Sequence, residues 1–264
     1  MAVDYSKYDA IQVIKEDRLL TVTLNRPESL NALTREAHSQ LELLWHEVAD
    51  DESVGAILLT GAGRAFCAGA DMKSVSGEPL PLARSFVHAK RLIAEMLEVE
   101  QPIVGAINGD AVGLGASLAL ACDIIVADER ARFADTHVKN MGVVAGDGGT
   151  VIWPLMMGIH RAKEYLLLGD FLPAAEAARL GMINYALPSD QVMPKARELA
   201  LRLANGPQWA QRWTKTAINK IMRDRLNLTM DTALAAEWIT FGTEDHREAV
   251  AAFLEKRPPR FTGR

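Results

Sequence analysis

A disulfide framework, a basic run and a membrane-length apolar stretch are all missing from this chain. Only two cysteines, Cys67 and Cys122, occur in 264 residues, both in apolar or glycine-rich surroundings. They exclude a disulfide scaffold and read as free thiols in a reducing cytoplasm. No cluster of Cys and His lies along the sequence, which argues against structural zinc. The net charge is −5 with no run of Lys or Arg, so nucleic acid is not an expected partner. No apolar stretch reaches the roughly 18–20 residues of a membrane span; the nearest, Ala116–Val126, is interrupted at Asp123. Asp4, Lys7, Asp9, Lys15, Glu16 and Asp17 crowd the first twenty residues, so no secretory signal is expected. Repeats of fixed period and low-complexity segments are lacking as well. What remains, 49% hydrophobic and 24% charged, is a composition that buries a real core in one large domain, or in one domain with a small appendage.

Apolar strands followed by helices fill the first two thirds. Ala10–Val13 and Leu19–Leu24 read as strands around the turn Lys15–Arg18, and Asn25–Leu33 as a loop. Thr34 is the expected N-cap of a helix running to about Asp50, with Ala37, Leu41, Leu44 and Val48 on one face. Val54–Thr60 and Pro102–Asn108 read as apolar strands, residues 82–98 and Gly115–Ala121 as helices, and Asp123–Ala127 and Arg132–Ala134 as short strands. This repetition signals an α/β architecture with buried, partly parallel strands. Beyond about Pro188 the strand signals stop, and helices are expected over 191–204, 207–224, 228–241 and 244–254. Such a helical region is too thin to hold a core alone and is expected to dock on the first part or on another subunit.

Two glycine-rich turns carry the chemistry. Gly61–Lys73 and Asn108–Ser117 each follow a strand and lead into a helical pattern. Turns of Gly and Ala leave backbone N–H groups bare, and two such groups meeting at one point form an oxyanion hole, which stabilises charge developing on a carbonyl oxygen. Tight strand–helix packing is the plainer use of the same residues. A dinucleotide loop is excluded, because Gly61-Ala-Gly63 lacks a third glycine and no acidic residue ends a following strand.

The run Thr23–Pro27 with Asn31-Ala-Leu33, the segment Ala65–Met72, the segment Pro102–Gly109 and the tail Thr243–Arg257 together resemble the crotonase (enoyl-CoA hydratase/isomerase) superfamily. The motifs occur in the expected order over essentially the whole chain. The resemblance implies an α/β spiral of ββα units over 1–190 and a helical oligomerisation region over 191–264. It also implies a coenzyme A thioester as substrate, a homotrimer or dimer of trimers, and no metal or redox cofactor, coenzyme A entering only as part of the substrate. By position in the motifs, the oxyanion-hole donors are the amides of Ala70 and Leu114. The loop Arg26–Leu30 and the segment Ala68–Lys73 are implied to hold coenzyme A, through Leu30, through backbone groups of Ala68, Asp71 and Met72, and through the cations Arg26, Arg64 and Lys73. Each of these cations reads equally as solvated surface, and Asp71 as a helix cap. The apolar face of Leu82–Met96 is implied to line the acyl pocket.

The chain departs from the family where hydratases carry two glutamates. Ser117 stands at the first of those positions and His137 at the second, with one extra residue before Gly142. Serine is no general base without a partner, so two-glutamate hydration is not expected. Asp147, set between Gly146 and Gly148, occupies a position where some members carry a catalytic aspartate. One carboxylate facing a thioester-activated carbon suits proton abstraction and return, or the positioning of water; the bland reading of Asp147 is the cap of a helix starting near Thr150. His137 and Ser117 are further catalytic candidates, although a lone His also reads as a surface or packing residue, and Ser117 as a small packing residue. Ser117, His137 and Asp147 also spell a nucleophile–base–orienter set, which keeps a thioester hydrolase open although no Gly-x-Ser-x-Gly elbow is present. A non-catalytic binding or RNA-associated relative is a third reading, disfavoured by the acidic balance.

Overall fold

A computed structural model describes residues 3–71 and 82–264. The first strands, β1 (Gln12–Glu16) and β2 (Leu19–Leu24), pair antiparallel. The hairpin starts two residues later than the sequence pattern suggests, because the Ala10 amide donates to Gln40 Oε1 (2.9 Å) rather than to a ladder. The turn is correspondingly tighter and places Asp17 at φ 52°, a conformation that Asp tolerates.

Three ββα units follow the hairpin. β3 (Ala56–Gly61) and β4 (Ala65–Cys67) precede helix α2 (Leu82–Glu98), α1 (Arg35–Ala49) having come before them. β5 (Ile103–Ile107) and β6 (Asp110–Val112) precede α3 (Leu114–Leu120), and β7 (Ile124–Asp128) and β8 (Arg132–Ala134) precede α4 (Gly149–Met157). The first strand of each unit joins a six-stranded sheet and the second a four-stranded one. In the larger sheet β2, β3, β5 and β7 run parallel. Every residue of β3 and β5 is buried, which is why these segments read as continuous apolar runs rather than alternating ones. Thr34 caps α1 as expected, its hydroxyl accepting from the Ala37 amide at 3.1 Å.

The remaining elements are α5 (Ile159–Leu168), β9 (Leu172–Pro173), α6 (Ala174–Arg179), β10 (Tyr185–Leu187), α7 (Ser189–Ala204), α8 (Gln208–Thr240) and α9 (Glu244–Leu254). β9 and β10 close the edges of the small and large sheets and are too short to leave a pattern in the sequence. α7 packs Val192, Ala196, Leu199 and Ala200 against Ala56, Leu58, Val104 and Val126 on one face of the large sheet. The helices expected over 207–224 and 228–241 are instead one 33-residue helix. No glycine or proline interrupts it, and Leu226, at the expected break, is buried in the main core beside Met230 and Leu234. At about 1.5 Å per residue it spans roughly 50 Å. Near its start Arg212 reaches the Val54 carbonyl (2.8 Å) and Lys215 the Gln101 carbonyl (2.9 Å) and Asp123 (2.8 Å). Among the described residues no helix is long and apolar enough to cross a membrane, and Cys67 and Cys122 are free and buried.

Candidate active site

Three loops converge on one place. The point where Gly69 would carry a Cβ lies 3.7 Å from the Leu114 nitrogen, so the two glycine turns meet. Ala70 bridges in parallel to Leu33, and Leu114 is the first residue of α3, where a backbone N–H has no partner within the helix. Ala70 and Leu114 line two adjoining cavities, an outer one of about 540 Å³ and an inner one of about 260 Å³, and so do His137, Met141 and Asp147.

The third loop follows β8. His137–Met141 form a five-residue π-turn, closed by Gly142, whose amide bonds to the His137 and Val138 carbonyls. The turn lies in the stretch where an extra residue was expected before Gly142; π-turns of this kind are frequent at functional sites. His137 Nδ1–H donates to Asp135 Oδ1 (2.7 Å), and Nε2 lies 3.6 Å from Asp147 Oδ2 and 3.9 Å from Glu237 Oε1. The reading of His137 as a solitary surface or packing residue is therefore corrected: it sits among three carboxyl groups.

The cap reading of Asp147 fails too. The residue before α4 is Gly148, with no side-chain cap bond. Asp147 Oδ1 is instead buried without a hydrogen-bond partner. Ser117 is fully buried in α3 and its hydroxyl has no partner, so it makes no hydrogen bond to His137, and the nucleophile–base–orienter set is not assembled.

The glycines around Asp147 have a specific cause. A Cβ on Gly149 would collide with Asp135 Oδ2, and one on Gly146 with Glu237 Oε2. Flanking glycines thus let three carboxyl groups close on one imidazole. Asp135 and Glu237 escaped sequence reading. Asp135 lies two residues before His137, a local signal that was available; Glu237 arrives from the far end of α8, and no spacing signals it.

Charge follows geometry. Burial depresses the His137 imidazolium, but Asp147, Asp135 and the hydrogen bond to Asp135 outweigh it and hold the group up to about 10. Burial raises the Asp147 carboxyl, with Asp135 adding to the rise and His137 opposing it. Burial, and then Asp147, push Glu237 up to about 8 against the pull of His137. Ionising all three carboxyls beside one imidazolium would leave a buried excess of negative charge, so a proton stays on Asp147 or Glu237 near neutrality. The cluster can accept a proton at one carboxylate while holding another to give.

The expected coenzyme A contacts divide. Ala68 lines the outer cavity, but its amide donates to Leu30 O (3.0 Å) and that of Asp71 to Leu33 O (2.9 Å), so these N–H groups already have partners. Leu30 sits in a left-handed turn at φ 53°. Arg26 turns inward, onto Ala32 O (2.8 Å) and Asp71 Oδ2 (2.9 Å), as a strut rather than a free phosphate ligand. Arg64 lies at a separate surface depression with Asn108 and Arg132. Met72 and Lys73 lie outside the described residues. The outer cavity is walled instead by α9 and the tail, with Phe253, Lys256 and Arg257. His88 and Ala89 of α2 line the inner cavity together with Leu33, Val143, Trp238 and Phe241.

Among the described residues two groups bring metal-type ligand atoms within 4.8 Å of one another, Asp135–His137–Asp147 and His38–Glu42–His88; the second is a His cluster made by folding, invisible along the sequence. In the first, the 2.7 Å contact is a hydrogen bond, shorter than the roughly 3.4 Å between two ligands of one tetrahedral zinc.

Known proteins of the same shape carry acyl-CoA names. Residues 15–264 match the family described as enoyl-CoA hydratase/isomerase. The chain is 36% identical to 1,2-epoxyphenylacetyl-CoA isomerase of Escherichia coli, over 94% of this chain and 97% of that one. It is 35% identical to short-chain-enoyl-CoA hydratase of Clostridium acetobutylicum, over 92% and 94%. The crystal structure of an enoyl-CoA hydratase/isomerase from Mycobacterium paratuberculosis superposes with a TM-score of 0.86 at 37% identity, covering 91% of this chain and 97% of that one. Matched over nearly its whole length in sequence and in shape, the chain belongs to the enoyl-CoA hydratase/isomerase family, within the crotonase superfamily.

Proposed function

We propose that this protein isomerises or hydrates an acyl-CoA thioester through an enolate, with Asp147 as the base. The observation that carries this reading is the Asp147 carboxyl, buried with an unpartnered oxygen on the wall shared with Ala70 and Leu114. Ionised Asp147 takes a proton from the carbon activated by the thioester. The C–H electron pair moves into the carbonyl, and the resulting enolate oxygen accepts from the Ala70 and Leu114 amides. Removal of one such donor typically costs about 3–4 kcal/mol of transition-state stabilisation. Returning the proton to a different carbon isomerises the chain; adding water across the double bond hydrates it. Glu237 supplies the second acid–base group that Ser117 cannot. His137, fixed by Asp135, holds the two carboxyls in different protonation states. The pantetheine and nucleotide occupy the outer cavity, with Lys256 at its rim, and the acyl group the inner one. The assembly is a cytoplasmic homotrimer or dimer of trimers.

Proton exchange tests the assignment. In deuterated water, wild type should place deuterium on the acyl chain of saturated, enoyl or dienoyl-CoA thioesters, and Asp147→Asn should lose about 10²–10⁴ of that rate. A mass gain of one water separates hydration from isomerisation. Equal exchange in both proteins would remove Asp147 from the mechanism. The hydrolase reading has no supporting contact at Ser117; release of free coenzyme A without exchange is the result that would revive it.

A further inference from the structure

The inner cavity is apolar on most sides, with Leu33, Val143, Leu234, Trp238 and Phe241, yet its lining includes two histidines that the proposed chemistry does not use. His38 and Glu42 lie one turn apart on α1, and His88 projects from α2. The Nδ1 atom of His38 is 3.2 Å from Glu42 Oε1, and that of His88 is 3.2 Å from both Glu42 oxygens. The rings stand edge to face, with centroids 6.4 Å apart. Burial works against the Glu42 charge, but the hydrogen bonds to His38 and His88 prevail and keep its carboxyl below the usual range. Glu42 is thus an anionic anchor that fixes both rings. Each ring, with Nδ1 turned to Glu42, leaves Nε2 on its opposite edge, as an acceptor when neutral and a donor when protonated.

An apolar chamber with a few fixed polar groups is the ordinary design of a selective ligand site, the polar groups setting orientation and choice. We propose that His38 and His88 form a recognition subsite for an oxygen function at the far end of the acyl chain, so that the substrate is an acyl-CoA ending in a hydroxyl or a carboxylate rather than in a methyl group. This rests on the acyl-CoA reading above and adds the class of acyl group. A hydroxyl donates to a neutral Nε2; a carboxylate accepts from a protonated one. Leaving such polar groups unmatched is costly, and sites built to bond a substrate oxygen can reject the analogue lacking it by several orders of magnitude.

The test is calorimetric binding of saturated four- and six-carbon acyl-CoA thioesters with a methyl, hydroxyl or carboxylate terminus. Wild type should bind at least one oxygen-terminated series ten-fold or more tighter than the methyl series, and which series wins distinguishes hydroxyl from carboxylate. His38→Leu and His88→Leu should erase the preference while holding methyl-terminated thioesters at least as well, and His88→Gln, which keeps a polar end, should retain part of it. Equal affinities in wild type overturn the subsite and leave the acyl-CoA reading standing. So does a preference that survives in folded leucine variants, and so does a stoichiometric metal carried by wild type and lost from those variants. Failure of every thioester to bind overturns both. The wild-type panel alone decides if a leucine variant does not fold.

Discussion

Glu237 holds its proton because it is buried beside Asp147, and this makes its titration a stability effect as well as part of the proposed chemistry. Its carboxyl is raised from 4.5 to about 8, so the folded chain keeps a proton that the unfolded chain has released. The stability this contributes is whole below about pH 4.5 and is lost as pH rises through 8. His137, raised from 6.5 to about 10, has the same sign, with stability whole below 6.5 and lost through 10. Wild type should therefore lose stability most steeply between pH 6.5 and 8, where both groups act, at no more than about 1.4 kcal/mol per pH unit for each. Denaturant unfolding from pH 4 to 10 checks it: Glu237→Gln should flatten the lower part of the curve, and parallel curves would remove Glu237 from the cluster. The glycines give a second prediction. Gly149→Ala pushes a methyl group onto Asp135 and should cost about 1–3 kcal/mol, lowering activity together with thermal stability; an unperturbed variant would mean that the loop has room to spare.

Elements decide how these residues meet. The π-turn His137–Met141 sets the ring of His137 between Asp135 and Asp147, and an α-turn with one residue fewer would rotate it. Deleting Asn140, an exposed residue of the turn, should leave a folded protein by circular dichroism with exchange activity reduced about 10²-fold, a displacement effect of the size expected for misplaced catalytic groups. Undiminished activity would show that the insertion is neutral. The C-terminal helices steady the same loop. Thr240 Oγ1 of α8 accepts from the Val144 amide (3.2 Å), and His246 Nδ1 of α9 lies 2.9 Å from the Met141 carbonyl. Element positions were largely legible in the sequence, because apolar runs mark buried parallel strands and Thr34 marks a helix start. What was not legible arose from long-range packing: the unbroken α8, carried through residue 226 by a buried leucine, and the partnership of Asp147 with a glutamate ninety residues away. Ser117 misled for the same reason, since sequence alignment assigns a position but not a contact.

At the scale of the whole molecule, the outer face of the helical third carries large apolar side chains among charged ones. Trp213, Ile221 and Leu228 of α8 are each 65% or 66% exposed, and Leu254 of α9 is 74% exposed. Large apolar side chains exposed in this number mark association surfaces in soluble proteins. For the proposed trimer or dimer of trimers, Trp213→Glu together with Ile221→Glu should lower the mass measured by light scattering toward that of one 28.9 kDa chain. A monomeric wild type would end the oligomer reading. The helical third cannot be a passive attachment, since α7 supplies one sheet face with its core and α8 passes from the sheet to the site. A chain emerging in order from the ribosome therefore builds both glycine turns, His137 and Asp147 long before residue 237 exists. Until α8 is complete, the cluster lacks its third carboxyl and the inner cavity its Leu234 and Trp238 wall, so the proposed acid–base cluster exists only once this helix has been made.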